Sequence, residues 1–477
     1  MRFSPPQKIV VAAVYVCGMI LNSLDSTIVN VALATLAREF RVPADSIDTV
    51  VTAYLVSLAV FIPVSGWLGD RWGTKRTFLL ALGLFTGASA LCGMAQSIDQ
   101  LVAFRILQGA GGGLLTPVGM AMLYRAYPPA ERVQVSRILM FATILGPALG
   151  PVIGGFLIER LSWRWIFYVN LPIGLGALVF GLLFLHEHRE EGAGSFDIPG
   201  FVLAGIGFGS FMFAVGRGPV EGWTDPAVVG FGLTGVVALI AFVLVERRVA
   251  SPMVHLHLLS NRLFRNSLIV SMITSSAFMG TLFLMPLYLQ EAKGVSPLQS
   301  GLTTFPEAIG VVVSTQVVAR LYPRIGPRRL MSGGLAFVAV IIASMATIDH
   351  GTSLWIVRLQ MFLLGVGIAY VFLPNQVASM ATITSAQTGR ASTLSMVQRQ
   401  LGGALGVALL GSVLTIAAAS SGMDAGRDAD AYRVAFLGGA VLALLGAAAA
   451  QLIPDADAKE TMVHGSRRAL TAADAAD

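Results

Sequence analysis

The chain has 477 residues, 55% of them hydrophobic and only 12% charged, whereas soluble globular domains carry about 25% charged residues. This composition excludes a soluble globular fold, because apolar runs long enough to cross a hydrocarbon layer of ~30 Å recur along the whole length. The net charge of +6 sits mostly in the segments between those runs, so it reads as membrane topology and is no evidence for nucleic-acid binding.

The runs are continuous and lack the ten-residue alternation of a membrane barrel. The predicted fold class is therefore an all-α polytopic membrane protein. Six spans are predicted first: Ile9–Leu33, Ile47–Leu68, Thr77–Met94, Leu101–Tyr124, Ser136–Ile158 and Trp165–Leu185. Two weaker ones follow, Ile198–Val215 and Ala227–Val245. The last six are Ser267–Leu289, Gln299–Leu321, Leu330–Ile348, Leu354–Val377, Ala391–Ala418 and Val434–Ile453. An even count puts both termini on one side. All but ten of the 32 Lys and Arg then fall in or beside cytoplasmic segments, which orients both termini inward in a bacterial-type inner membrane. The predicted division is a six-helix bundle over 1–190, an additional helix pair over 191–246, a cytoplasmic linker over 247–265, a second six-helix bundle over 266–454, and a disordered tail over 455–477. The first apolar stretch is too long for a signal-peptide core. Cys17 and Cys92, the only cysteines, lie inside predicted spans and suit neither a disulfide framework nor a metal site.

In the first span, LDSTIVNVAL places Asp25 at membrane depth. A carboxylate there costs about 2.5–3.5 kcal/mol on insertion scales, so it reads as a proton carrier, with a stabilising contact between helices as the alternative. Asn22, Ser26 and Asn30 share its face and are candidate cavity residues. After the second span, GWLGDRWGTKR sets Asp70 between Gly66 and Gly73, with Lys75 and Arg76 following. Gly66 permits close helix approach and Gly73 a tight turn. Asp70 can accept bonds from an arginine or a neighbouring helix N-terminus, which makes it a natural gate between moving halves.

Arg105 enters the fourth span in VAFRILQGAGGGLL, about 6 Å from the outer end. It reads as a partner for Asp25, with snorkelling to the interface as the alternative. A guanidinium favours the charged carboxylate and burial favours the neutral acid, and that competition suits a proton switch. Gly109, Gly111, Gly112 and Gly113 thin this helix for packing. In the fifth span, GPALGPVIGG spaces Gly146, Gly150 and Gly154 on one face, beside Pro147, Pro151 and Gly155. The pattern suits a sliding interface or ordinary small-residue packing. SWRWIFYVNLPIG, with Trp163, Arg164 and Trp165, reads as an interfacial belt with no chemistry. In the linker, His255 and His257 lack a third ligand, so a metal is not expected.

Glu307 follows Pro306, about 12 Å into the tenth span. It is the second candidate proton or cation site, alternatively bonding backbone freed by the proline. Arg399 in VQRQLGGALGVA reads as a cytoplasmic anchor rather than a partner for a buried acid. Ala319–Arg329, ARLYPRIGPRR, repeats the Gly66–Arg76 loop with Pro323 in place of the acid. Related halves of this kind recur in secondary transporters.

Together these segments resemble the major facilitator superfamily, and within it the fourteen-helix drug:proton antiporters. GWLGDRWGTKR is similar to the superfamily's loop signature and RILQGAGGG to its fourth-helix arginine motif. GPALGPVIGG resembles the antiporter motif of helix five, and LDSTIVNVAL the first-helix motif of the drug-export branch. WRWIFYVNLPIG and the EGW at Glu221–Trp223 are similar to segments of the fourteen-helix subfamily. The resemblance covers nearly the whole chain. It implies two six-helix bundles with two extra helices between them, and proton-coupled export by alternating access. It also implies that Asp25 and Arg105 couple the proton and that Asp70 latches the cytoplasmic side. The expected protein is a secondary active transporter and no enzyme. It needs no cofactor, works as a monomer with lipids around it, and exports amphipathic, cationic small molecules against protons. The alternatives are export of one endogenous metabolite or lipid, or a sensor without transport.

Overall fold

The computed structural model describes residues 6–42, 47, 49–128, 131–189, 195–249, 252–384, 387–421 and 429–462. Among them the long elements are fourteen helices: α1 Gln7–Phe40, α2 Thr49–Trp72, α3 Thr74–Met94, α4 Ile98–Ala126 and α5 Arg132–Arg160, then α6 Trp165–Phe184, α7 Ile198–Glu221 and α8 Pro226–Glu246. The second half has α9 Arg262–Leu287, α10 Gln299–Ile325, α11 Pro327–Met345, α12 Leu354–Ser379, α13 Thr388–Ser421 and α14 Ala429–Ala450. Thirteen are long and apolar enough to cross a membrane. The other predicted span is α5, a helix of 29 residues.

Local chemistry sets many helix starts. Ser97, Asp197, Asp225, Asn261 and Ser353 each accept a backbone N–H in the first turn of α4, α7, α8, α9 and α12. In α9 the helix runs into a π turn at Tyr288–Ala292. The α8 helix, read as weak from sequence, is the most apolar of the thirteen and the least buried. Among the thirteen it turns the largest share of its side chains outward from the protein.

In the first half, α4 is central and packs on α1, α2 and α3, while α1 also packs on α5 and α6. In the second half, α10 and α11 pack on α12, and α9 packs on α13 and α14. The halves meet where α2 and α4 cross α13 and where α5 crosses α10 and α12. The extra pair docks through α7, which touches both α2 and α13 and so lies along the seam. Fourteen alternating helices bring Gln7 and Met462 to one face, here the terminal face, opposite the distal face. After Pro454, where disorder was expected, Asp455–Ala458 and Lys459–Met462 form short helical turns. Tyr322 and Thr461 share a hydrogen bond of 2.8 Å that ties them to α10. Residues 463–477 lie outside the described residues.

Candidate functional site

The glycines of α4 put a charged pair into the middle of the first bundle. A side chain at Gly109 or Gly113 would strike the α2 backbone near Tyr54 and Leu58, and one at Gly111 would strike α3 at Phe85. With its neighbours drawn this close, α4 buries Arg105 to 1% exposure against Asp25 at 0%. Arg105 Nη1 donates to Asp25 Oδ2 at 2.5 Å and to Gln108 Oε1 at 2.9 Å. Asp25 Oδ1 also accepts from Gln108 Nε2 at 2.8 Å and Asn170 Nδ2 at 3.3 Å. The guanidinium lies 4.0 Å from the Tyr54 ring centroid, and its Nε donates to the Val50 carbonyl at 3.4 Å. One carboxylate of α1 thus gathers donors from α4 and α6. Arg105 does not snorkel.

Asp25 points into this bundle, and Asn22 belongs to a neighbouring cluster. Tyr54 donates to Asn22 Oδ1 at 2.5 Å, and Asn22 Nδ2 donates to Thr116 at 3.1 Å. Ser26 donates to the Asn22 carbonyl at 2.8 Å. The side chain of Asn30 lies outside the described residues. Another stripe of α1 meets α5: Gly146 lies against Ser23 and Leu24, Gly150 against Thr27, and Gly154 against Ile28. Gly155 has open space where a side chain would go. The side chains of Pro147 and Pro151 lie outside the described residues.

At the terminal face Asp70 is 3% exposed. It pairs with Arg125 of α4 at 3.5 Å and with Arg390 of α13 at 3.4 Å, joining the two halves. The arginine partner expected from sequence is thus present twice over, and Gly389 in the first turn of α13 lies beside the carboxylate. Beside it, Ser65 and Thr393 meet at 3.2 Å, and a side chain at Gly66 would press on Thr393. Arg137 of α5 and Gln316 of α10 bond across the other crossing. Gly73 adopts φ +97°, a conformation glycine reaches without steric cost. Arg76 is exposed and 3.7 Å from Glu187.

Glu307 is half-buried on the α10 stripe that carries Val311, Ser314 and Val318. Its carbonyl abuts Gly365 of α12, and among the described residues it forms no ion pair. Arg399 departs from the sequence reading. It lies nine residues, about 13 Å, along α13 from Arg390 toward the distal face. There Nη2 donates to Gln376 Oε1 of α12 at 3.0 Å. It is an interior residue and no anchor, because α13 starts at Thr388, level with the latch, and Arg399 lies about three turns further in. Trp163 is likewise buried, stacked edge-on with Phe40 and Phe167, while Trp165 is exposed as a belt residue should be.

Sequence reasoning missed Gln108, Asn170 and Tyr54. The available signals were Gln108 one turn after Arg105 and Asn170 alone in an apolar stretch. It also missed the acids that cap the two repeated loops. Glu187, after α6, accepts from the N–H groups of Lys75 and Arg76 at 2.9 and 3.2 Å. Asp455, after α14, accepts from Arg328 N–H at 2.9 Å beside Gly326, whose φ is +83°. Each half caps its repeated loop with an acid from beyond its own last helix.

A family model described as Major Facilitator Superfamily matches residues 15–407. The chain is 33% identical over 411 residues to a multidrug resistance protein B homolog of Mycobacterium tuberculosis, covering 85% of this chain and 76% of that protein. It is 31% identical over 398 residues to a tetracenomycin C resistance and export protein of Streptomyces glaucescens, covering 83% and 74%. In fold it is similar to the human organic anion transporter MFSD10 (TETRAN), with TM-score 0.66 at 17% identity, covering 94% of this chain and 100% of that one. It is also similar in fold to the proton:xylose symporter XylE, with TM-score 0.63 at 15% identity, covering 96% and 99%. This polytopic chain, with its halves joined at Asp70 and a buried ion pair in the first, is a secondary transporter and belongs to the major facilitator superfamily, alongside multidrug resistance proteins.

Proposed function

We propose that the protein is a proton-driven antiporter that exports amphipathic small molecules by alternating access, in an inner membrane with both termini cytoplasmic. The observation that carries this reading is the fully buried Asp25–Arg105 pair. A charge kept at this depth without solvent needs a use. Protonating Asp25 would remove the anion that holds Arg105, Gln108 and Asn170 together and loosen α1 from α4 and α6. The same stretch of α1 rests on the α5 glycine face, and α5 crosses to the second half. A proton at Asp25 is thereby linked to the seam through packed helices.

With Asp70 bonded to both halves, the terminal face is closed, so loading from the cytoplasm requires that latch to part. Each proton moving inward through the membrane potential releases about 2.3 kcal/mol per 100 mV. No cofactor takes part, and a monomer suffices. Multidrug resistance and tetracenomycin C export in the relatives' names support amphipathic substrates. Glu307 faces α12 on a buried stripe, so it gives little support to a cationic preference.

The test is efflux from proteoliposomes with and without an imposed pH gradient. Wild type is expected to export a substrate uphill only with the gradient. Asp25→Asn is expected to insert normally, keep downhill exchange and lose uphill export. Uphill export by Asp25→Asn at the wild-type rate would refute Asp25 as the coupling group.

A further inference from the structure

A second ionisable group lies deep in the protein and takes no part in the Asp25 cluster. Arg399 sits in the seam about 13 Å inward of the latch. An arginine has five N–H donors in a planar fork. Gln376 is the hydrogen-bond partner the described residues give it, and none of them supplies a carboxylate. The groups around it are neutral and can donate. The phenols of Tyr15 on α1 and Tyr124 on α4 face the guanidinium from the first half. Tyr124 donates to the Gln376 carbonyl at 3.3 Å, and the Gln376 amide rests 3.5 Å from the Met120 sulfur of α4.

Further polar capacity is unused here. One turn along α13, the Ser395 hydroxyl is buried without a partner, as are both amide atoms of Gln398. Beside Gln376, the Asn375 Oδ1 is also unpartnered. Such groups are costly unless something completes them. Neutral donors around an uncompensated guanidinium are the complement of a negatively charged oxygen, and arginine binds carboxylates bidentately where lysine cannot.

We propose that Arg399, with Gln376 and the phenols of Tyr15 and Tyr124, is a substrate subsite that receives the anionic oxygen of an amphipathic molecule, a carboxylate or a phenolate. The subsite spans both halves, so parting the terminal face would expose it and closing would wrap it with tyrosines from the first half. The preferred substrate therefore carries an acidic group on an apolar body, in contrast to the cationic class expected from sequence. This assignment rests on the transporter reading for its role, but its test needs no gradient.

The experiment is equilibrium binding to the purified full-length protein in detergent at mildly alkaline pH. The probes are fluorescein, an aromatic carboxylate–phenolate, and rhodamine 6G, a cationic relative. Wild type is expected to bind fluorescein, and Arg399→Gln to weaken it about tenfold or more, with rhodamine 6G changed less than about twofold. Arg399→Lys is expected to fall between. Tyr124→Phe, a milder change, is expected to weaken fluorescein alone. Failure of wild type to bind fluorescein overturns the proposal, as does equal loss of both dyes in a monodisperse Arg399→Gln protein. Retention of uphill, proton-driven export in Asp25→Asn with fluorescein binding intact would sink the coupling reading and leave this one standing.

Discussion

At the residue scale, the cluster around Asp25 illustrates how a buried charge is held. Neither Arg105 alone nor the glycine-rich stretch explains it. The carboxylate has two oxygens, and each is occupied: Arg105 takes one, while Gln108 and Asn170 share the other. Asn170, fully buried, ties this arrangement to α3 as well, because it also donates to Ser89 at 3.1 Å. Asn170→Leu would keep the volume of the site while removing both bonds. It is expected to lower stability by about 1–3 kcal/mol, the cost of leaving buried polar groups unpaired, seen as a lower melting temperature in detergent. Asn170→Asp would put a second carboxylate beside Asp25, and a larger loss is expected from like-charge repulsion. A melting temperature unchanged in Asn170→Leu would show that Asn170 does not support the pair. The sequence placed Asp25 and Arg105 at similar depth, but only packing could bring Asn170 to them, since it lies 145 positions from Asp25.

At the element scale, the linker between the extra pair and the second half is a packed segment. Met253, Val254 and Leu258 are buried in the first-half core cluster, and Val254 N–H donates to Glu246 at 3.1 Å. His255 sits among them with Nδ1 buried and unpartnered. Burial, then the positive Arg390, then His257 push its imidazole down to about 4 from the usual 6.5. The docked linker therefore holds His255 neutral, while a released linker would bind a proton below about 6.5. Docking is fully favoured above that pH and weakens as pH falls toward about 4. A spin label at Leu259→Cys is expected to become more mobile between neutral pH and pH about 5, and His255→Gln to abolish that change. An equal rise in mobility in both would rule out His255 as the cause. The interfacial stretch read from sequence is thus anchored partly by a titratable side chain facing the latch residue Arg390.

At the scale of the whole molecule, the seam is the feature that function depends on. At the terminal face it carries Asp70–Arg390, Ser65–Thr393 and Arg137–Gln316. At the distal end, Trp223 of the α7–α8 connection donates to Ser412 of α13 at 2.6 Å, so the extra pair touches the second half as well as α2. Removing the Asp70 charge leaves Arg125 and Arg390 facing each other at a helix start. Asp70→Asn is expected to shift the protein toward a state open at the terminal face. Cysteines placed at Thr393 and Met120 should then label about tenfold faster from the side of the terminal face, a shift of about 1.4 kcal/mol between the two states. Unchanged labelling with full transport would show that Asp70 does not hold the face closed.

The sequence by itself determined the membrane class, the fourteen helices, the repeated loop, and the two charges that pair in the first half. Each of these is written in local properties: run length, hydropathy, glycine spacing, and the cost of a charge at depth. The tertiary structure alone decided which way the charges face. Asp25 turns into its bundle because the α4 glycines admit close packing on three helices. Arg399 lies deep because α13 starts level with the latch, where Arg390 meets Asp70, and carries Arg399 nine residues further inward. Glu187 and Asp455 cap the two repeated loops because the chain beyond each sixth helix folds back over its loop. A one-dimensional pattern gives depth along a helix to within a few ångströms, but direction around the helix and contact across a seam depend on neighbours hundreds of residues away.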